Sequence, residues 1–205
     1  MKKIIGIVPA AIPKSAAITT SGIHAEMTRT SIWSVFGCAL LFAFSQAAAA
    51  SLTGQVVGVS DGDTITVLDA DHQSFKIRLS GIDAPEKKQP FGQRSKQHLS
   101  DLVYGRTVDV IWHKRDRYRR IVGQVMVAPP SCPAPACPKT TDAGLRQVEA
   151  GMAWWYRKYS REQAGEDAAA YERAEDLARS RRQGLWSEPN PVAPWEWRKA
   201  RRQPQ

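Results

Sequence analysis

The chain has 205 residues, a formal net charge of +9 and three cysteines. That length holds one ordinary domain beside a leader segment. The cysteines are too few, and too far from any histidine, for a zinc-built domain. The basic balance points to a polyanionic partner or to plain solubility charge, and composition alone does not choose between them.

In chain order, the first 50 residues read as a segment apart from the fold. Met27-Thr28-Arg29-Thr30 gives a positive start, Ile32 to Phe44 is an uncharged apolar run, and Ser45-Gln46 with Ala47 to Ala50 supplies a small-residue ending. An apolar core of about 13 residues suits a cleaved signal peptide better than a membrane anchor. The expected division is a signal region at residues 1–50 and a mature domain at 51–205. Within the first part, 27–50 is the signal peptide and 1–26 an upstream extension before a more natural start at Met27. The mature domain is expected to be secreted or periplasmic, monomeric and without a membrane span. It carries 25 basic and 19 acidic residues, net +6.

The mature part reads as strands first, then helices. Leu52 to Ser60 is a valine-rich stretch that turns at Asp61-Gly62 and returns through Thr64 to Leu68. Phe75, Ile77 and Leu79 alternate with polar residues, so they share one face while Arg78 points the other way. Val108, Val110 and Trp112 repeat the alternation, and Ile121 to Val127 makes a fifth strand. Five successive strands without βαβ units predict a small barrel in an α+β, mainly β, domain.

Three helices are expected. Gln93 to Tyr104 has Leu99, Leu102 and Val103 at helical spacing, with Gly105 as the stop. Asp142 can cap a short helix bearing Leu145, Val148 and Met152. Arg161 to Arg182 carries a stripe of Ala164, Ala168, Tyr171, Ala174 and Ala178. The tail rings Trp186, Trp195 and Trp197 are expected to pack onto the barrel. In an oxidising compartment Cys132 and Cys137 read as a disulfide closing a proline-rich loop, with free thiols as the alternative.

Three segments carry the chemistry: Asp61-Gly62-Asp63-Thr64, Arg78 through Glu86, and Asp116-Arg117-Tyr118-Arg119-Arg120. Taken singly they are a hairpin turn, a turn with a helix cap, and a solvated charge run. Together they supply carboxylates for a hard divalent cation, a further carboxylate to work on a water, and arginines whose planar forks fit phosphate oxygens.

In order and spacing these segments resemble staphylococcal (micrococcal) nuclease, the thermonuclease family. The resemblance runs over about residues 52–187 and includes Gly151-Met152-Ala153-Trp154 and Gly184-Leu185-Trp186-Ser187. It implies a five-stranded OB-fold barrel and a Ca²⁺-dependent endonuclease that cuts DNA, RNA or both and leaves 3′-phosphates. It also implies roles. Asp63, Asp83 and the backbone carbonyl of Ala84 would be calcium ligands, with Asp61 a supporting acid behind them. Arg78 and Arg120 would bind phosphate, and Glu86 would be the general base. Tyr118 would contact a nucleotide phosphate, and Tyr156 and Tyr159 both fit a second tyrosine position. Arg119 stands where the family usually has glycine, and either reshapes the turn or adds to phosphate binding. The alternative reading is a catalytically weak OB-fold module that only binds nucleic acid.

Overall fold

The structure is a computed structural model and describes residues 50–132 and 136–202. The expected signal peptide and upstream extension lie outside the described residues, up to residue 49. The described elements are β1 (Ala50–Asp61), β2 (Thr64–Leu68), β3 (Ser74–Leu79), β4 (Ile82–Asp83), α1 (Gly92–Val103), β5 (Thr107–Arg115), β6 (Ile121–Val127), β7 (Thr141–Asp142), α2 (Ala143–Glu149), β8 (Trp154–Trp155), α3 (Gly165–Ser180) and α4 (Pro194–Ala200).

The main sheet runs β3-β2-β1-β5-β6-β7. One long strand, β1, serves both β2 and β5, with bulges at Val56/Gly58 and Val59/Asp61 that bend it between the two. A parallel pairing of β3 with β6 closes the five long strands into a barrel, setting Ile77 opposite Ile121 and Arg78 opposite Val122. This closure brings Arg78 beside the start of β6, next to Arg120.

Period-2 alternation decides which side chains fill the barrel. In β6, Ile121, Gly123, Val125 and Val127 face inward and are buried. They meet Val56, Ile65, Val67, Ile77, Leu79, Val108 and Val110. Each such aliphatic side chain contributes about 1.5–3 kcal/mol on burial. Leu99 and Val103 of α1, Val148 of α2 and Tyr171 of α3 cap the same core.

The expected helix from Arg161 starts later. Arg157–Glu162 forms a separate 3₁₀ turn, Gln163 and Ala164 are extended, and α3 begins at Gly165. Gln163 is held out of the helix, where its Oε1 accepts from the Trp155 indole N–H at 2.9 Å.

The tail also differs from expectation, because Pro194 starts a further helix, α4. Trp186 joins Ala178 and Leu185 in a small cluster of its own, apart from the barrel core, with Phe91 and Trp154 against it. Trp195 stacks on Tyr156, centroids 5.2 Å apart with planes 4° from parallel.

The two glycine landmarks meet backbone to backbone. Leu185 N donates to Gly151 O at 2.8 Å. A Cβ on Gly184 (φ +57°) would lie 2.2 Å from that same oxygen, so no side chain fits there. Cys132 and Cys137 are joined in a disulfide, Cα atoms 5.8 Å apart.

Candidate active site

The turn from β1 to β2 is built on close approach rather than on an unusual backbone angle. A Cβ on Gly62 would lie 1.8 Å from Ser95 Oγ. The Gly62 carbonyl accepts from Gln147 Nε2 of α2 at 2.7 Å. Two helices thus clamp the turn and fix the acids on either side of it. Asp61 Oδ1 accepts from Asp63 N at 3.2 Å. Asp63, only 5% exposed, accepts from the Thr64 hydroxyl at 2.8 Å and from Ala84 N at 3.1 Å.

Arg78 projects from the outer face of β3, as the alternation requires. Its guanidinium ion-pairs with Asp63 through Nη1 and with Asp83 Oδ1 at 3.0 Å through Nη2, which also reaches the Ile82 carbonyl at 3.3 Å. Asp83 is fully buried. The short β4–β8 pairing seats it, with Asp83 opposite Trp154. Burial alone would raise Asp63, but the charge and hydrogen bonds of Arg78 hold its carboxyl below the ordinary value. Burial pushes Asp83 up, offset in part by hydrogen bonds from Arg198. Burial and the neighbouring charge of Asp63 push Asp61 up to about 6.

Glu86 lies just past Pro85 with its side chain 41% exposed. Its backbone N–H donates to Gln89 Oε1 at 3.1 Å, which stiffens the loop.

The β5–β6 turn is organised by Asp116. Its Oδ1 accepts from Tyr118 N at 2.9 Å and Arg120 N at 3.0 Å. Its Oδ2 accepts from Arg120 Nε at 2.8 Å and pairs with Nη2 at 2.7 Å. Arg120 is thereby aimed at the β1–β2 turn, where Nη1 donates to Thr64 Oγ1 at 3.3 Å. Arg119 adopts φ +63°, the left-handed conformation that favours glycine. It is exposed, and it is absent from the residues that line the cleft. Tyr118 does line the cleft and is 65% exposed.

A cleft of about 550 Å³ therefore gathers Asp61, Asp63, Arg78, Ala84, Glu86, Tyr118 and Arg120 from separate elements. Tyr156 and Tyr159 line it as well, as an edge-to-face pair with centroids 4.9 Å apart.

Two residues to which the sequence reading gave no role belong to this site. Asp116 orients Arg120. Arg198, on α4, donates to Asp83 Oδ2 at 2.6 Å and to Glu86 Oε1 at 2.8 Å. The only sequence signal for Arg198 was its place beside two tryptophans.

Asp63 and Asp83 supply carboxylate oxygens of the kind a hard cation takes, and in this structure Arg78 and Arg198 pair with them. Among the described residues, no group of three or more histidine, cysteine, aspartate or glutamate side chains is placed to hold a metal ion. A cation bound by these two carboxylates would draw its remaining oxygens from water and phosphate.

The staphylococcal nuclease homologue family matches the chain over residues 76–188. The chain is 43% identical over 162 residues to the micrococcal nuclease of Shigella flexneri, covering 79% of this chain and 89% of that one. It is 44% identical over 150 residues to Protein ParB of Escherichia coli, covering 73% and 81%. It is 40% identical over 160 residues to an uncharacterized endonuclease of Escherichia coli, covering 78% and 94%. Similarity of this extent, laid over a closed five-stranded barrel with the three segments at its rim, means that the chain belongs to the staphylococcal nuclease family.

Proposed function

We propose that this protein is an exported, Ca²⁺-dependent endonuclease that hydrolyses phosphodiester bonds in DNA, RNA or both and leaves 3′-phosphates. One observation carries the reading. Arg78, tied to two buried carboxylates, and Arg120, aimed by Asp116, open on the same cleft as the exposed carboxylate of Glu86.

Asp63, Asp83 and the Ala84 carbonyl would hold the cation, with Asp61 behind them. When bound, calcium would neutralise the scissile phosphate and orient an attacking water. Glu86 is free on one side to take that water's proton. Arg78 and Arg120 would donate to the phosphate oxygens as charge builds on the five-coordinate phosphorus, where fixed donors are worth most. Tyr118, at the cleft mouth, would meet a flanking phosphate. The likeness to a micrococcal nuclease supports the substrate class, and the family resemblance supports the 3′-phosphate product. The leader composition and a disulfide, which belongs in an oxidising compartment, support export. No helix among the described residues is long and apolar enough to cross a membrane.

The test is cleavage of plasmid and of RNA by the purified protein, its Arg78→Ala variant and its Arg120→Ala variant. Each substitution is expected to lower turnover by on the order of 10²-fold or more. Turnover near that of the parent in either variant would remove that arginine from the mechanism. An inert parent with any divalent cation would leave a binding module.

A further inference from the structure

Arg198 reaches the active site from beyond residue 188, where the family match ends. Its Nη2 donates to Asp83 Oδ2 at 2.6 Å, and its Nη1 donates to Asp83 Oδ1 at 3.2 Å and Glu86 Oε1 at 2.8 Å. Asp83 Oδ1 already accepts from Arg78 at 3.0 Å. Of the roughly four lone-pair sites on a carboxylate, Asp83 thus has three in use.

The helix that carries Arg198 packs on Trp154 and Tyr156, and the segment before it is tied to the loop bearing Glu86. Trp195 stacks on Tyr156 and sets an edge against Trp154, centroids 5.6 Å apart. Gln89 Nε2 donates to the Val192 carbonyl at 2.6 Å, while Gln89 Oε1 accepts from Glu86 N. The same glutamine joins the tail to the loop bearing Glu86. Arg198 is therefore seated by its surroundings rather than resting on the surface.

We propose that Arg198 is a positioning residue that stands in for the divalent cation, holding Asp83 and Glu86 together without it and opposing its binding at Asp83, so that α4 sets the cation affinity of the site. The proposal rests on the cation reading above. A guanidinium and a divalent cation draw on the same Asp83 oxygens, and two positive charges this close repel even when both find an oxygen. Linkage makes the effect reciprocal. Whatever Arg198 takes from the cation's affinity, the bound cation takes from the hold on Arg198, so α4 loosens as the site fills.

The experiment is calorimetric titration of Ca²⁺ into the full-length protein, Arg198→Gln and Trp195→Ala, with a thermal melt to show that each variant is folded. Arg198→Gln is expected to bind Ca²⁺ about tenfold more tightly or better. Trp195→Ala, which touches no carboxylate, should shift affinity the same way by unseating the helix. The Ca²⁺ concentration for half-maximal cleavage should fall in step. In the parent, amide exchange over residues 194–200 should quicken when Ca²⁺ is added. Parent binding that Arg198→Gln leaves equal or weakens would overturn this proposal alone. Absence of binding in parent and variants alike would remove the cation reading, and this proposal with it.

Discussion

Replacing Asp116 by asparagine separates two jobs that one carboxylate performs. The amide keeps an oxygen for the backbone N–H groups of Tyr118 and Arg120, bonded at 2.9 and 3.0 Å. It loses the second oxygen, which accepts from Arg120 Nε at 2.8 Å and pairs with Nη2 at 2.7 Å. Hydrogen bonds to a charged partner are worth about 1.5–3 kcal/mol each, but this pair is partly solvated and water recovers much of that. The expected loss of stability is about 1 kcal/mol. The cost in catalysis is bounded by the whole worth of Arg120, about 2.7–4 kcal/mol for one fixed donor. A mis-aimed arginine forfeits part of it, so kcat/KM should fall about 10- to 100-fold. The assay is initial-rate cleavage by Asp116→Asn, Arg120→Ala and the double variant. If Asp116 acts through Arg120, the double variant should be no slower than Arg120→Ala alone. An equal fold-loss in both backgrounds would refute the orienting role. The Asp116 carboxyl, partly buried but hydrogen-bonded by Arg120, sits below its ordinary value. Its stabilising contribution is therefore present above pH about 4 and lost as pH falls through the depressed value, so parent and Asp116→Asn should converge in acid.

Gly62→Ala puts a methyl group where Ser95 Oγ already lies, 1.8 Å from the new atom. It should cost about 2–3 kcal/mol in a denaturant melt, and pairing it with Ser95→Gly should recover part of that loss. Arg119→Gly should raise the melting temperature by a few degrees, because the left-handed conformation at φ +63° costs arginine about 1–2 kcal/mol and glycine's extra chain entropy offsets only part of it. KM should not change, since Arg119 lies outside the cleft lining. A lower melting temperature would refute the strain argument, and a raised KM would return Arg119 to the substrate.

The barrel strands were legible because period-2 alternation is local and dense, as Ile77 and Leu79 and the run from Ile121 to Val127 show. The acids and arginines of the three segments were legible because their types and order carry chemistry wherever the chain places them. What escaped was set by distance in the sequence. The parallel β3–β6 closure that brings Arg78 and Arg120 onto one cleft leaves no mark in either strand. The two-residue pairing that seats Asp83 is too short to read. Gly62 looked like a turn residue, yet it is required by a serine 33 positions on. Helix α4, seven residues long with two tryptophans, read as a packing tail, and the arginine between its rings and the chain end reaches the most buried acid of the site.

The proposed chemistry is cleavage of phosphodiester bonds with a divalent cation's help. The direct measurement is cleavage of supercoiled plasmid and of RNA by the purified protein, with Ca²⁺ and with excess chelator. Cleavage should need Ca²⁺, stop on chelation and return when Ca²⁺ is restored. Cleavage that persists in chelator at an undiminished rate would contradict that chemistry.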